Sequence, residues 1–232
     1  MISTAIRELQ ATLPEGVSLV AVSKYHPADA IREAYAAGQR TFGESHAQEL
    51  QAKAASLADL DGTEWHFIGH LQRNKVRQVI PHAALIHSVD SLRLLYEIDR
   101  QATRAGRTVP CLLQLHVAAE QTKYGFTPDE AEALLRGTAW QAMQGITLAG
   151  IMAMATNTSD ETRIAADFHA ARTTFNRLRE LIFQAHTEAA PPYSAASVRH
   201  PFNQLSMGMS HDYRLAIAQG STLVRIGTAI FG

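Results

Sequence analysis

The sequence predicts a single (β/α)8 barrel over residues 1–232, and three observations support this prediction. The chain is 46% hydrophobic with a formal net charge of −1, as is typical of a globular protein. Short apolar runs alternate with segments of helical periodicity from end to end, and no linker interrupts them. This alternation predicts parallel strands joined by right-handed crossovers, and eight such units close most economically into a barrel. An open doubly wound sheet is the alternative, because periodicity does not distinguish the two.

The predicted strands are short runs of apolar residues bounded by Gly, Pro or polar residues. They cover residues 19–23, 40–43, 64–69, 84–89, 111–117, 146–154, 205–209 and 222–230.

The predicted helices lie between these strands. Pro27 indicates a helix start and Gly38 a helix end. Residues 45–48 and 127–130 have the pattern of a capping box. A long helix is expected to begin near residue 159, and residues 188–194 are expected to form a loop. The apolar stripe of the long helix consists of Ile164, Phe168, Ala171, Phe175, Leu178 and Ile182.

Composition excludes several classes of function. Lys plus Arg total 21 and Asp plus Glu total 22, so the chain lacks the positive charge expected of a nucleic-acid-binding protein. No apolar run reaches the roughly 18 residues of a membrane span, and the N-terminus does not resemble a signal peptide. The single Cys111 lies in an apolar run and is expected to be a buried, unreactive thiol. We therefore expect a cytoplasmic protein.

Lys24 is the first candidate for chemistry. It follows the apolar run of the first predicted strand, at the end of the strand where parallel α/β folds bind ligands. An amine half-removed from water at this point is a candidate nucleophile toward a carbonyl. The alternative is a lysine whose stem covers apolar surface while its ammonium reaches solvent.

The last predicted strands provide the residue types of a phosphate site. In a barrel the loops after strands seven and eight commonly bind phosphate, which requires backbone N–H groups, small residues and hydroxyls. Ser206, Gly227 and Thr228 supply these groups. The alternative is structural, with Ser210 capping a helix and Gly227 relieving a crowded strand end.

Arg225 interrupts the apolar eighth strand, and a buried charge must be paired or bound to a ligand. Glu44, at the end of the second strand, is an available ion-pair partner, so both explanations are open. Metal binding is not expected. His66 and His70 are spaced like helical zinc ligands, but in a strand this spacing separates the rings by about 13 Å.

Seven sequence blocks occur in order along the chain. They are Ala21-Val-Ser-Lys24, Phe42-Gly-Glu44, Trp65-His-Phe-Ile-Gly-His-Leu-Gln72 with Asn74-Lys75, His87-Ser-Val-Asp-Ser91, Gly150-Ile-Met152, Leu205-Ser-Met-Gly-Met-Ser210 with Asp212, and Arg225-Ile-Gly-Thr-Ala-Ile-Phe-Gly232. Together these blocks resemble the pyridoxal 5′-phosphate (PLP) homeostasis proteins, the YggS/PROSC family, over nearly the whole chain. The third and last blocks are the longest and most specific.

This resemblance implies a barrel like the N-terminal barrel of alanine racemase and PLP held as a Schiff base on Lys24. It implies that Ser206, Gly227 and Thr228 bind the phosphate, that Arg225 faces the pyridine nitrogen, and that Met152 lines the pocket. The family usually has Asn where this chain has Ser45, which is a candidate cofactor contact. It also tends to have Asn two positions after Gln114, where this chain has His116.

The resemblance favours a carrier that buffers or delivers PLP, with PLP-dependent apo-enzymes as possible partners and no assigned reaction. One alternative is an amino-acid racemase, which needs a second base opposite Lys24. In racemases that base is a Tyr from a second domain and a partner chain, and we expect this chain to lack that domain. Tyr25 and Tyr124 are available tyrosines. The other alternative is a Schiff-base aldolase, which would leave Arg225 without a role. The sequence does not indicate an oligomeric state.

Overall fold

A closed barrel of parallel strands forms the centre of the protein, in a computed structural model that describes residues 1–119, 124–188 and 201–232. Each strand pairs with its neighbours in chain order, and the first pairs with the last through Ser18↔Leu223 to Ala21↔Ile226. The predicted barrel is confirmed, and the open-sheet alternative is wrong. The strands are β1 Ser18–Val22, β2 Thr41–Glu44, β3 Glu64–Phe67, β4 Ala83–Val89, β5 Val109–Leu115, β6 Ile146–Ala153, β7 Gln204–Ser206 and β8 Leu223–Ile226.

The helices surround the barrel. They are α1 Ile2–Thr12, α2 Ala28–Ala36, α3 Ala47–Ser56, α4 Val76–Val79, α5 Leu92–Arg104, α6 Pro128–Arg136, α7 Glu161–Glu188, α8 Tyr213–Ala218 and α9 Thr228–Phe231, with 3-10 turns at Arg73–Lys75 and Ala139–Ala142. The predicted apolar stripe of α7 is buried. Residue 188 of the predicted loop ends α7, and residues 189–194 lie outside the described residues. No helix within the described ranges is long and apolar enough to cross a membrane.

The starts of α3 and α6 test the two predicted capping boxes. Thr127 and Glu130 form the predicted capping box at the start of α6. The predicted box at residues 45–48 is wrong. His46 is the N-cap residue of α3 and makes no side-chain capping bond, so the Ser45 side chain does not cap this helix.

The core has an outer and an inner layer. Phe42, Phe67, Phe168 and Phe175 are fully buried in the large cluster that the strands share with the helices. A second cluster joins side chains from strands that are not neighbours, which can meet only across the interior of the barrel. Its members are Val20, Leu85, Leu112, Ala149, Met152 and Leu223. The interior is therefore packed rather than open, as is usual for this architecture.

Gly150 shows how closely adjacent strands approach. Its φ is +155°, and a Cβ atom there would lie 1.7 Å from the carbonyl oxygen of Gln204 on β7. Only glycine fits at this position without displacing the strand. Because β7 carries Ser206, Gly150 helps to position the site. Cys111 is fully buried on β5, and burial raises the pKa of its thiol, as expected of an unreactive cysteine.

Candidate functional site

The predicted site residues come from five adjacent strands of the barrel. Met152 lies on β6, Ser206 ends β7, and Arg225, Gly227 and Thr228 lie on or directly after β8. Lys24 follows β1 and Ser45 follows β2, so the arc runs without a gap from β6 to β2. Because the strands are parallel, the residues at these carboxyl ends lie on one face of the barrel.

Arg225 lies inside the barrel, where only 5% of the residue is exposed. Its Nη1 donates to the carbonyl oxygen of Ser206 at 2.9 Å and also to the Ser206 hydroxyl, and its Nη2 donates to the carbonyl oxygen of Ala153 at 3.2 Å. Burial lowers the pKa of Arg225 to about 10, so the guanidinium still carries its charge at neutral pH. These hydrogen bonds fix its direction.

Glu44 is not the partner of Arg225. The Lys53 ammonium lies 2.8 Å from Oε1 of Glu44, and the Ser23 hydroxyl donates to the same oxygen. Glu44 shares a face of β2 with Phe42, which packs in the outer core layer, whereas Arg225 shares a face of β8 with Leu223 in the inner cluster. The wall of the barrel therefore separates the two side chains, and the ion pair considered from the sequence is wrong.

Two histidines extend the polar network inside the barrel. Nδ1 of His87 lies 3.0 Å from the Ser206 hydroxyl, and Nε2 of His87 lies 3.0 Å from Nδ1 of His66. Burial lowers the pKa of His66 to about 3, and burial together with the neighbouring His66 and Arg225 lowers the pKa of His87 well below its ordinary value. Both rings are therefore neutral at pH 7, and they connect Arg225 and Ser206 to β4 and β3.

The turn after β8 gathers backbone donors. The N–H groups of Gly227 and Ala229 both point to the hydroxyl oxygen of Ser210, at 3.3 and 3.5 Å. A Cβ atom on Gly227 would lie 3.2 Å from the carbonyl oxygen of Val22, so the turn packs closely against the end of β1. Two amides converging on one oxygen resemble the donor set of an anion site. Ser210, considered from the sequence only as a helix cap, is the hydroxyl joined to this turn, whereas Ser206 faces the guanidinium.

Lys24 lies in a turn two residues beyond β1 and is one of the exposed residues. Its Nζ lies 5.7 Å from the centroid of the Tyr25 ring. The turn adjoins the end of β8, since the His26 ring stacks on Phe231 of α9 with centroids 4.8 Å apart. Lys24 therefore lies at the rim of the barrel beside the Gly227 turn.

Ser45 lines a cavity of about 360 Å³ next to the Lys24 turn. Tyr25, His46, His70 and Lys75 also line it. Nδ1 of His70 lies 3.2 Å from Oδ2 of Asp90, and the His70 ring stacks on Tyr124, so these two contacts hold the ring at the wall of the cavity. No group of three or more metal-ligating side chains occurs in the ranges that the structure describes.

Replacing Arg225 with methionine is expected to change the free energy of unfolding by less than about 1.5 kcal/mol. The lowered pKa corresponds to about 3 kcal/mol of destabilisation of the buried charge. The substitution relieves this cost but also removes three hydrogen bonds that Arg225 donates to Ser206 and Ala153, at about 1 kcal/mol each. Urea denaturation of the two proteins measures the difference. A loss above about 3 kcal/mol would instead show that Arg225 holds the fold together.

Comparison with known proteins agrees with this geometry. The family model "Alanine racemase, N-terminal domain" matches residues 2–232. The pyridoxal phosphate homeostasis protein of Pseudomonas aeruginosa is 40% identical over 219 residues, which cover 94% of this chain and 85% of that protein. Its counterpart from Escherichia coli K12 is 38% identical over 222 residues, covering 94% and 86%. The chain belongs to the pyridoxal phosphate homeostasis protein family.

Solved structures support this membership. PipY of Synechococcus elongatus, a structure with PLP bound, superimposes on this family member with a TM-score of 0.86 at 39% identity, covering all of both chains. An alanine racemase from Clostridium difficile 630 matches with a TM-score of 0.69 at 14% identity, covering all of this chain and 56% of the racemase. The racemase shows only that the barrel is shared.

Proposed function

We propose that this protein binds PLP through a Schiff base on Lys24 and holds it for cofactor homeostasis, without catalysing a reaction of its own. One observation supports this proposal above the others. A rim amine, two converging amides and a buried guanidinium lie along adjacent strand ends, β1 and β8, on one face of the barrel. These are the groups that an aldehyde, a phosphate and a pyridine nitrogen each require.

The residues fit PLP by the chemistry of their donors. The Gly227 and Ala229 amides, with the hydroxyls of Ser210 and the exposed Thr228, would hold the phosphate. In this arrangement Ser206 positions Arg225 and does not contact the phosphate, which refines the role implied by the sequence. Met152, 2% exposed and paired in register with Ser206, would lie beneath the ring. Ser45, at the end of β2, would lie beyond Lys24 on the cavity side.

Arg225 is the residue that favours a holding role over a catalytic one. Bound PLP supplies an aldehyde that bonds reversibly to amines and a ring that can accept electrons. Arg225 stays protonated at neutral pH and therefore donates to the ring nitrogen, leaving no proton there. A ring without that proton is a weaker acceptor of electrons. Arg225 thus allows Lys24 to bind the cofactor while giving little support to carbanion chemistry.

The proposed partners are PLP-dependent apo-enzymes, and the proposed location is the cytoplasm. Support comes from the relatives named pyridoxal phosphate homeostasis proteins and from the position of Lys24, whose turn lies at the rim of the barrel rather than in its packed interior. An amine at the rim can be reached by an acceptor without opening the fold.

Titration of the purified protein with PLP tests the proposal. We expect a visible absorption band that saturates at one PLP per chain. Arg225→Met should keep the fold but weaken binding by about tenfold or more, because a charge-assisted hydrogen bond is lost. The same samples are then incubated with L-alanine, and the D-enantiomer is measured. Absence of the band would contradict the imine on Lys24, and exchange of alanine enantiomers at enzymatic rates would show a racemase instead.

A further inference from the structure

Lys53 is a buried lysine on α3 whose ammonium is fully engaged. Only 9% of its side chain is exposed. Its Nζ donates to the carbonyl oxygen of Ser23 at 2.7 Å, to Oε1 of Glu44 at 2.8 Å and to Oε1 of Glu49 at 2.7 Å. Three acceptors match the three N–H bonds of an ammonium. Lys53 therefore joins α3 to the ends of β1 and β2.

These contacts hold Ser23 and Tyr25, the residues on either side of Lys24. The Ser23 hydroxyl donates to Glu44 at 2.6 Å, and the Tyr25 backbone N–H donates to Glu49 at 2.6 Å. Lys53 bonds both carboxylates and also the Ser23 carbonyl. The backbone immediately before and after Lys24 is thus tied to one ammonium through short hydrogen bonds.

Tyr25 has an unusual backbone conformation, which these hydrogen bonds stabilise. Its φ is +67°, in the left-handed region that residues with bulky side chains rarely adopt. The residue is 75% exposed, so burial of the ring does not explain the conformation. The bond from the Tyr25 N–H to Glu49, together with the turn bond from the His26 N–H to the Ser23 carbonyl oxygen, opposes relaxation of the turn.

The charges of Lys53, Glu44 and Glu49 indicate that their contacts fix a conformation in addition to any stability they provide. Burial raises the pKa of Glu44, although the bonds from Lys53 and Ser23 act against it. At Glu49 burial is likewise the largest influence, but the bonds from Lys53 and Tyr25 outweigh it and lower the pKa. Buried ion pairs often contribute little net stability compared with apolar packing, whereas they can fix one conformation. Here the fixed conformation is that of the Lys24 turn.

We propose that Lys53 is a positioning residue that holds the Lys24 turn in one conformation and thereby directs the Lys24 amine across the rim toward the β8 turn. The proposal rests on the proposed function of Lys24. An amine on a fixed turn reaches a bound aldehyde with less loss of conformational freedom than one on a mobile turn. Removal of Lys53 should therefore weaken imine formation although Lys53 does not touch the cofactor.

The first test uses the protein without cofactor and measures trypsin cleavage between Lys24 and Tyr25 by mass spectrometry. A protease needs a backbone that can leave its folded conformation. Lys53→Met should raise the initial cleavage rate at this bond at least tenfold, whereas Gln51→Met, at an exposed position of the same helix, should leave it unchanged. Ile98→Ala, which truncates a buried side chain on α5, controls for a general loss of stability.

A second pair of variants separates hydrogen bonding from charge. Glu49→Gln keeps an oxygen that accepts from Tyr25 and Lys53, so the turn should stay protected. Glu49→Ala removes the acceptor, and cleavage should rise as it does in Lys53→Met. The proposal is overturned if Lys53→Met is cleaved no faster than wild type, or no faster than Ile98→Ala at equal thermal stability.

The final experiment measures PLP affinity and the rate of imine formation, both through the visible absorption band. Lys53→Met should bind PLP about tenfold more weakly and form the band more slowly, whereas Gln51→Met should match wild type. Unchanged binding and rate would overturn the positioning role even if cleavage increased. A wild type without a band would contradict the proposed function itself, and the cleavage rates would still decide whether Lys53 holds the turn.

Discussion

Replacing Lys24 with alanine is expected to abolish the visible PLP band while leaving the fold intact. The side chain is exposed, so its truncation should change the free energy of unfolding by no more than about 0.5 kcal/mol. The Lys53 ammonium also lies near the end of β1, but it is buried and bonded to three acceptors, so we do not expect it to replace Lys24. Absorbance after saturation with PLP measures the effect, and thermal unfolding verifies the fold.

Lys24→Arg is the matched variant for charge. Arginine keeps the positive charge at the rim, but its guanidinium stays protonated and does not form the imine. We expect this variant to lack the imine band, as Lys24→Ala does, and to keep residual noncovalent binding through the β8 turn and Arg225. A visible band of wild-type intensity in either variant would show that Lys24 does not form the imine with PLP.

Acidification is expected to destabilise the protein by about 2 kcal/mol between pH 7 and pH 5 through His66 alone. In the unfolded chain this histidine takes up a proton below its ordinary pKa near 6.5, whereas in the folded protein its pKa is about 3. Because the folded pKa is the lower one, the stability is complete above pH 6.5 and falls as the pH drops toward 3. Urea denaturation at several pH values gives the slope.

His66→Gln isolates this contribution. Glutamine does not titrate, so the variant should lose about 2 kcal/mol less than wild type on going from pH 7 to pH 5. Comparison at pH 8, where His66 is neutral in both the folded and the unfolded protein, reports the effect of the substitution on packing alone. An identical pH dependence in both proteins would show that His66 takes up a proton in the folded protein as readily as in the unfolded chain, contrary to its position inside the barrel.

Hydrophobic pattern predicted most of the fold. The predicted runs at residues 19–23 and 146–154 match β1 and β6 to within one residue. The run at 222–230 is too long, because β8 ends at Ile226 and α9 begins at Thr228. Apolar residues in a short final helix cannot be distinguished from a strand by hydrophobicity alone.

The site was less predictable, because side-chain direction and contacts across the barrel depend on the closed sheet. Alternation along the strands would have placed Arg225 with Leu223 on the inner face and Glu44 with Phe42 on the outer face. The contact between His66 and His87 could not be predicted, because no regular spacing in the sequence relates the two residues. Lys53 was likewise missed, since a lysine within a helix resembles a solvated one until its acceptors are known.

Reduction of the PLP-loaded protein with borohydride, followed by proteolysis and mass spectrometry, tests the central claim most directly. Reduction converts an imine into a stable bond and so records which amine carried the cofactor. We expect one pyridoxyl group, on Lys24, with Lys53 and Lys75 unmodified. A protein that carries the group on another lysine, or that carries none after saturation with PLP, would contradict the account.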